Sequence, residues 1–143
     1  MRFVLDASVT LRWLFLDGKA AERAYALKVL DAMKQAEIGA LVPATWALEV
    51  CNVIARAEAR DLLSHAQGEA FVELLRNLDI DADAATSSRA LSDTLELARR
   101  YRLSAYDASY LELAMRQGLP LATLDEDLRK TAAKAGLRRY ASR

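Results

Sequence analysis

Two short segments decide how this chain folds: Phe3-Val4-Leu5-Asp6 near its start and Pro120-Leu121-Ala122-Thr123-Leu124-Asp125 near its end. Each is a brief apolar run that stops at an aspartate and is followed by helical sequence. Such runs suit strands buried on both faces of a parallel sheet, where no polar alternation is needed. Ala40-Leu41-Val42 is a similar run, and residues 78–80 give a further strand before an acidic turn over 79–83.

The segments between these runs carry helical spacing. A short helix passes through Val9, Leu11 and Trp13, and Asp17-Gly18 turns the chain. Residues 20–36 form an amphipathic helix with Ala24, Leu27, Leu30 and Met33 on its apolar side. Pro43 opens a helix over 44–60, since its missing N–H costs nothing in a first turn. Trp46, Val50, Val53, Ile54 and Ala57 make that helix's apolar face. Ser64 caps the next helix, which runs through Phe71 and Leu75. Helices over 88–101 and 106–117 follow, and Gly118-Leu119-Pro120 stops the second. A last helix runs from Asp125 to Gly136, and residues 137–140 add an edge strand. Strand and helix alternate throughout, which predicts a three-layer α/β/α domain with a mainly parallel sheet over residues 1–143.

Composition sets the outer limits. With 53% hydrophobic and 28% charged residues in 143, the chain can bury a core as an ordinary globular domain. Five glycines and two prolines leave little for a linker or a disordered tract. The lone Cys51 cannot close an internal disulfide, and no apolar run approaches the roughly 20 residues of a membrane span. The expectation is a cytoplasmic protein with no membrane association. Net charge is zero, yet Arg129, Lys130, Lys134, Arg138, Arg139 and Arg143 make a basic C-terminal stretch with no acid among them. Arg99-Arg100-Tyr101-Arg102 makes another. Such patches attract phosphates locally, or serve only as solvated helix faces.

Four acids occupy positions that a solvated surface does not explain. Asp6 and Asp125 end apolar strands, Glu49 sits between Leu48 and Val50, and Asp107 stands near a helix start in Leu103-Ser-Ala-Tyr-Asp-Ala-Ser-Tyr-Leu111. In parallel sheets, ligands bind beyond the carboxyl ends of strands, where strand order reverses. Converging carboxylates repel one another, and a divalent cation resolves the conflict. The competing reading for Asp107 and Asp6 is a helix N-cap. His65 reads as a surface residue and Cys51 as a small core residue, so the ligand types favour Mg²⁺ or Mn²⁺ on oxygen over a nitrogen–sulfur zinc site. Such ions lower the pKa of water and stabilise charge on phosphoryl oxygens, which is the chemistry of phosphodiester hydrolysis.

The motifs together resemble a known family. Val4-Leu5-Asp6-Ala7-Ser8-Val9, Leu48-Glu49-Val50-Cys51-Asn52, Leu103 to Leu111 around Asp107, and Leu119 to Asp125 resemble, in order, the four motifs of PIN-domain proteins, specifically VapC-type toxins. The resemblance implies a PIN-like α/β/α sandwich and a Mg²⁺- or Mn²⁺-dependent endoribonuclease. Asp6, Glu49, Asp107 and Asp125 would be its catalytic and metal-holding acids. It further implies a homodimer, a cognate antitoxin as partner, and RNA as substrate, with tRNA or rRNA favoured.

Supporting roles fall to Asn52, one helical turn from Glu49, and to Thr123, on the same side of its strand as Asp125. Ser8 is read first as a helix cap and second as a neighbour of the metal's water shell. Asp127 either assists Asp125 or replaces it. Glu112 and Glu126 are read as solvated, and Trp13, Trp46 and Tyr110 as core rather than base-stacking residues. A non-catalytic metal- or RNA-binding module and a housekeeping PIN-type RNA-processing nuclease are the alternatives. A receiver-like phosphoacceptor domain is disfavoured, because the required middle-strand acid and final lysine are missing from their places.

Overall fold

The structure, a computed structural model, describes residues 2–35 and 38–141. Four strands, β1 (Arg2–Leu5), β2 (Gly39–Val42), β3 (Ile80–Ala82) and β4 (Leu121–Ala122), form one sheet in the order β3-β2-β1-β4. Every pairing is parallel, with Val4 opposite both Leu41 and Leu121 and Ala40 opposite Ile80. The sheet grows outward from β1 in one direction through β2 and β3, and in the other through β4. The order therefore reverses between β1 and β4.

The flanking helices are α1 (Ala7–Arg12), α2 (Ala20–Met33), α3 (Trp46–Ala59), α4 (His65–Arg76), α5 (Thr86–Arg89), α6 (Leu95–Tyr101), α7 (Ala105–Gln117) and α8 (Glu126–Lys134). They flank the parallel sheet in the expected α/β/α class. Phe3, Val4 and Leu5 have no exposed surface, and each large apolar side chain buried this way contributes roughly 1.5–3 kcal/mol. Trp13 and Trp46 are core residues, as expected, and satisfy their indole N–H groups on Ala26 O (2.7 Å) and Thr10 Oγ1 (3.1 Å). Both tryptophans thus fix α1 against its neighbours through one polar handle.

Several boundaries differ from the sequence reading, each for a local reason. The helix expected from 44 starts at Trp46, because Ala44 and Thr45 form a turn in which Trp46 N donates to Pro43 O (3.0 Å). The helix expected to reach 36 closes at Met33, and Ala36 lies outside the described residues. Its buried face is Tyr25, Ala26, Val29, Leu30 and Met33, leaving Ala24 and Leu27 exposed. The stretch expected as one helix over 88–101 starts at Thr86 and contains a π turn, Ala90–Thr94. The widened turn sinks Thr94 and leaves Leu91 89% exposed.

Cys51 is exposed rather than in the core, because Val50, Ile54 and Ala57 already take the inward side of α3 and the next residue points about 100° away. The third strand lies at 80–82, inside the acidic stretch expected to turn. Its backbone is held by β2, with Asp83 N donating to Val42 O (2.7 Å). A half-exposed edge strand tolerates acids that a central strand would not.

At the other edge, β4 keeps only two residues in the ladder. The expected edge strand over 137–140 reduces to a single bridge between Leu121 and Arg139. Tyr140 seals that end by stacking on Phe3, with centroids 3.9 Å apart. Gly118, at φ +65°, supplies the left-handed residue that ends α7 and lets the chain enter β4.

Candidate active site

Backbone register is the first cause of the site. Asp6 N donates to Ala122 O (2.9 Å), so the residue after β1 is held against the end of β4. Thr123 Oγ1 then donates to Asp6 Oδ2 (2.7 Å) and accepts from Asp125 N (3.0 Å). Ser8 Oγ also donates to Asp6 Oδ2 (2.5 Å), while it accepts from Leu124 N (2.9 Å). Asp6 is only 4% exposed. Two hydroxyls thus hold one buried carboxylate oxygen at the point where strand order reverses.

Helices bring the other acids. Glu49, in the first turn of α3, accepts from Tyr110 Oη at 3.0 Å across 61 residues of sequence. Asp107 lies in the first turn of α7 and Asp125 at the N-cap of α8. Their electrostatics tie them together. Burial raises the Asp6 carboxyl, and the charge of Asp125 raises it further against the lowering by Ser8 and Thr123. Burial likewise raises Glu49, with the charges of Asp6 and Asp107 adding to it. Asp107 is pushed up to about 6, first by burial and then by the charges of Asp125, Asp6 and Asp127. The Tyr110 hydroxyl is raised by burial and by Asp6 and Glu49.

Among the described residues, none of Asp6, Glu49, Asp107 and Asp125 forms an ion pair. Nor are any three His, Cys, Asp or Glu side chains gathered tightly enough to enclose an ion alone. The four acids share one electrostatic environment without forming a closed cage.

The competing roles resolve residue by residue. Asp107 does not cap its helix, because Ser104 Oγ takes that place and accepts from Asp107 N (3.1 Å). Asp6 sits at the N-cap position of α1 but makes no side-chain cap bond. Asp125 does cap, with Oδ1 accepting from Leu128 N (2.8 Å), which leaves Oδ2 for other work. Ser8 lies inside α1, and its hydroxyl serves Asp6 rather than capping the helix.

Thr123 supports the site as expected, bonding Asp6 with its hydroxyl, and it also shapes the strand end by accepting from Asp125 N. Asp127 adds charge at Asp107 but not among the causes acting on Asp6, whereas Asp125 acts on both. Asn52 is exposed on α3 and has no side-chain hydrogen bond among the described residues. Glu126 is exposed as expected, but Glu112 is not: it is 5% exposed and paired with Arg116 (2.9 Å). A lone acid on a solvated face was the wrong picture, because a cation one turn along α7 follows it inward.

Tyr110 was read as core, and it is fully buried. Its hydroxyl contact to Glu49 was missed. The available signal was spacing, since Asp107 and Tyr110 share one face of α7 and a buried tyrosine needs a hydroxyl partner.

A parallel α/β domain with repelling acids at its topological switch point defines a class of fold and site. Residues 3–134 match the family model described as PIN domain, and the chain belongs to the PIN-domain family. PIN domains are generally nucleases and typically use divalent metals. The fold is similar to that in the crystal structure of PAE2754 from Pyrobaculum aerophilum, with a TM-score of 0.58, 20% identity, and 95% of this chain and 98% of that one covered. At that identity the likeness shows the fold alone. No curated protein matches this chain.

Proposed function

We propose that this chain is a Mg²⁺- or Mn²⁺-dependent endoribonuclease and the toxin of a toxin–antitoxin pair. The observation that carries the nuclease reading is the shared, unneutralised charge of Asp6, Glu49, Asp107 and Asp125 at the β1/β4 switch point. The donor set fits a hard divalent ion: all its ligating atoms are oxygen, and no cation of the protein competes for them among the described residues. An ion that keeps several waters needs only one or two direct carboxylates, which agrees with acids that sense one another without closing a cage. Asp6 and Asp107 would hold it, with Glu49 and Asp125 reaching its water shell. When bound, the ion would supply Lewis-acid stabilisation of phosphoryl charge and a more acidic water.

The chain's own residues do the rest. Ser8 and Thr123 fix the rotamer of Asp6, so one oxygen is occupied by hydroxyls and the other is left to coordinate. Tyr110 holds Glu49 at one oxygen in the same way. Asp107, pushed up to about 6 in the cation-free protein by burial and by its acidic neighbours, carries the repulsion that a bound cation would relieve. Leaving-group protonation then draws on solvent at the half-exposed side of the cluster.

The toxin role rests on the motif resemblance. An arginine from a partner's tail would neutralise such a cluster by charge-assisted pairing. A homodimer, a cytoplasmic site of action and a structured tRNA or rRNA target belong to the same proposal. The test is cleavage of total RNA and of a labelled oligoribonucleotide by purified protein. Mg²⁺ or Mn²⁺ should support cleavage and EDTA should stop it. Cleavage that proceeds equally in EDTA sinks the metal reading. Growth arrest on expression that a small neighbouring gene relieves supports the toxin role; arrest that no neighbouring gene relieves opposes it.

A further inference from the structure

We propose that a cationic cavity beside the acid cluster, built on Lys19, Arg129 and Arg139, is a subsite for a backbone phosphate flanking the one to be cut. The inference rests on the ribonuclease reading and adds where that substrate lies. The cavity, about 370 Å³, is lined by Lys19, Tyr25, Thr123, Leu124, Arg129 and Arg139. It adjoins the site, because Thr123 lines it and also donates to Asp6. Arg129 stands one turn along α8 from Asp125, its N–H donating to Asp125 O (2.9 Å).

The charges favour an anion. Two acids also line the cavity, Glu22 and Glu126. Glu126 is paired with Lys130 at 3.4 Å, and Glu22 accepts from the backbone N–H of Lys19 at 3.3 Å. Lys19, Arg129 and Arg139 form no ion pair among the described residues. Arg139 is held in place by the ring of Tyr25, with its guanidinium carbon 3.9 Å from the centroid. The Tyr25 hydroxyl is spent on Tyr140 O (2.7 Å), so the ring is rigid. Arg139 Nε is buried and has no hydrogen-bond partner. The guanidinium lines the cavity as a planar fork of donors, and phosphate oxygens match that geometry.

A polyanion needs this help. Four unpaired carboxylates repel a phosphodiester chain, and cations one residue removed from them offset that repulsion at the neighbouring phosphate. The cavity thereby assigns a purpose to part of the basic C-terminal stretch, whose last member, Arg143, lies outside the described residues.

Lys19 and Arg129 are both exposed, so Lys19→Ala/Arg129→Ala leaves the core untouched. The measurement is fluorescence anisotropy of a labelled single-stranded oligoribonucleotide in EDTA, across a salt series, with cleavage by the wild-type chain assayed in parallel. The double variant should bind about tenfold more weakly at ~0.1 M salt, with a salt slope smaller by about 0.7 for the one phosphate no longer neutralised. Arg60→Ala/Arg76→Ala, the same charge change outside the cavity, should lose far less. An unchanged slope and affinity overturns the subsite while leaving the nuclease reading intact if cleavage is seen. Equal losses in the control pair overturn it too, as a general charge effect. A variant that keeps RNA affinity but no longer binds poly-glutamate reassigns the cavity to an acidic protein segment. Wild-type protein that neither binds nor cleaves RNA overturns both readings.

Discussion

Two strands of the same sheet end in a buried aspartate, and the two aspartates meet opposite fates. Asp6 follows β1 and Asp83 follows β3, and they are 4% and 8% exposed. At Asp83, Arg116 Nη2 approaches Oδ2 at 2.5 Å and Nη1 approaches Oδ1 at 3.2 Å, while the same guanidinium pairs with Glu112. Burial pushes the Asp83 carboxyl up, but the hydrogen bonds and charge of Arg116, with Ala85 N–H and Thr86, hold it below the ordinary value. At Asp6 only hydroxyls and an N–H help, and the carboxyl stays raised.

The lesson is that an acid at a strand end becomes chemistry only where the protein withholds a cation. The Asp83–Arg116–Glu112 cluster is internal structure joining α7 to β3. Under the proposed function, the Asp6 cluster, unpaired among the described residues, would be completed by an external cation. Under the proposed toxin role, a partner's arginine would neutralise the Asp6 cluster as Arg116 neutralises Asp83.

The comparison is broken first at Arg116. Arg116→Met should cost about 3–5 kcal/mol of stability, because it strands two buried carboxylates without a partner. Urea denaturation measures it, and a loss below about 1 kcal/mol would show that the cluster is solvated after all. Next in size, Thr123→Val removes one of the two hydroxyls on Asp6 while keeping the shape of the side chain. Cation affinity should fall about 10- to 100-fold with little loss of stability, read by Mn²⁺ titration. Unaltered affinity would mean that Ser8 alone orients the acid.

Smaller effects sharpen the contrast. Asp107→Asn should raise the stability of the cation-free protein by about 1 kcal/mol, because the half-exposed carboxyl is repelled by its neighbours and solvent screens part of that repulsion. The same change should remove cleavage, a trade of function for stability. The smallest effect is in pH. Asp107 titrates at about 6 in the fold against 3.8 for the free group, so the folded chain binds more protons between those values. Stability of the cation-free protein should therefore fall as pH rises from about 4 to about 7. Asp83, being lowered, contributes stability above 3.8 that is lost as pH falls below it. Thermal melts in EDTA should thus peak near pH 4–5, and Mg²⁺ should raise the melting temperature more at pH 7 than at pH 5. A cation effect independent of pH would contradict the coupling.

The fold's centre was legible because its signals are local. Phe3 to Leu5, Ala40 to Val42 and Leu121 to Ala122 are short apolar runs, and each is a strand. The acids were legible because they interrupt such runs. What stayed hidden depends on partners far away in sequence. The third strand carries Asp81, and only pairing with β2 makes it a strand. Glu112 looked solvated because Asp83, which shares its arginine, lies across the fold. The Tyr110–Glu49 bond joins two helices that no periodicity relates. Cys51 and Leu27 were misplaced because helices rich in alanine and leucine give several faces similar apolar weight, and tertiary packing chooses among them.

The central claim is that the uncompensated cluster, and not the arginine-satisfied one, takes a divalent ion. Mn²⁺ binding followed by electron paramagnetic resonance on wild-type protein, Asp6→Asn, Asp107→Asn and Asp83→Asn tests it most directly. The account predicts saturable binding by the wild type, its loss in Asp6→Asn and Asp107→Asn, and its retention by every folded molecule of Asp83→Asn. Equal binding in wild type, Asp6→Asn and Asp107→Asn would contradict it.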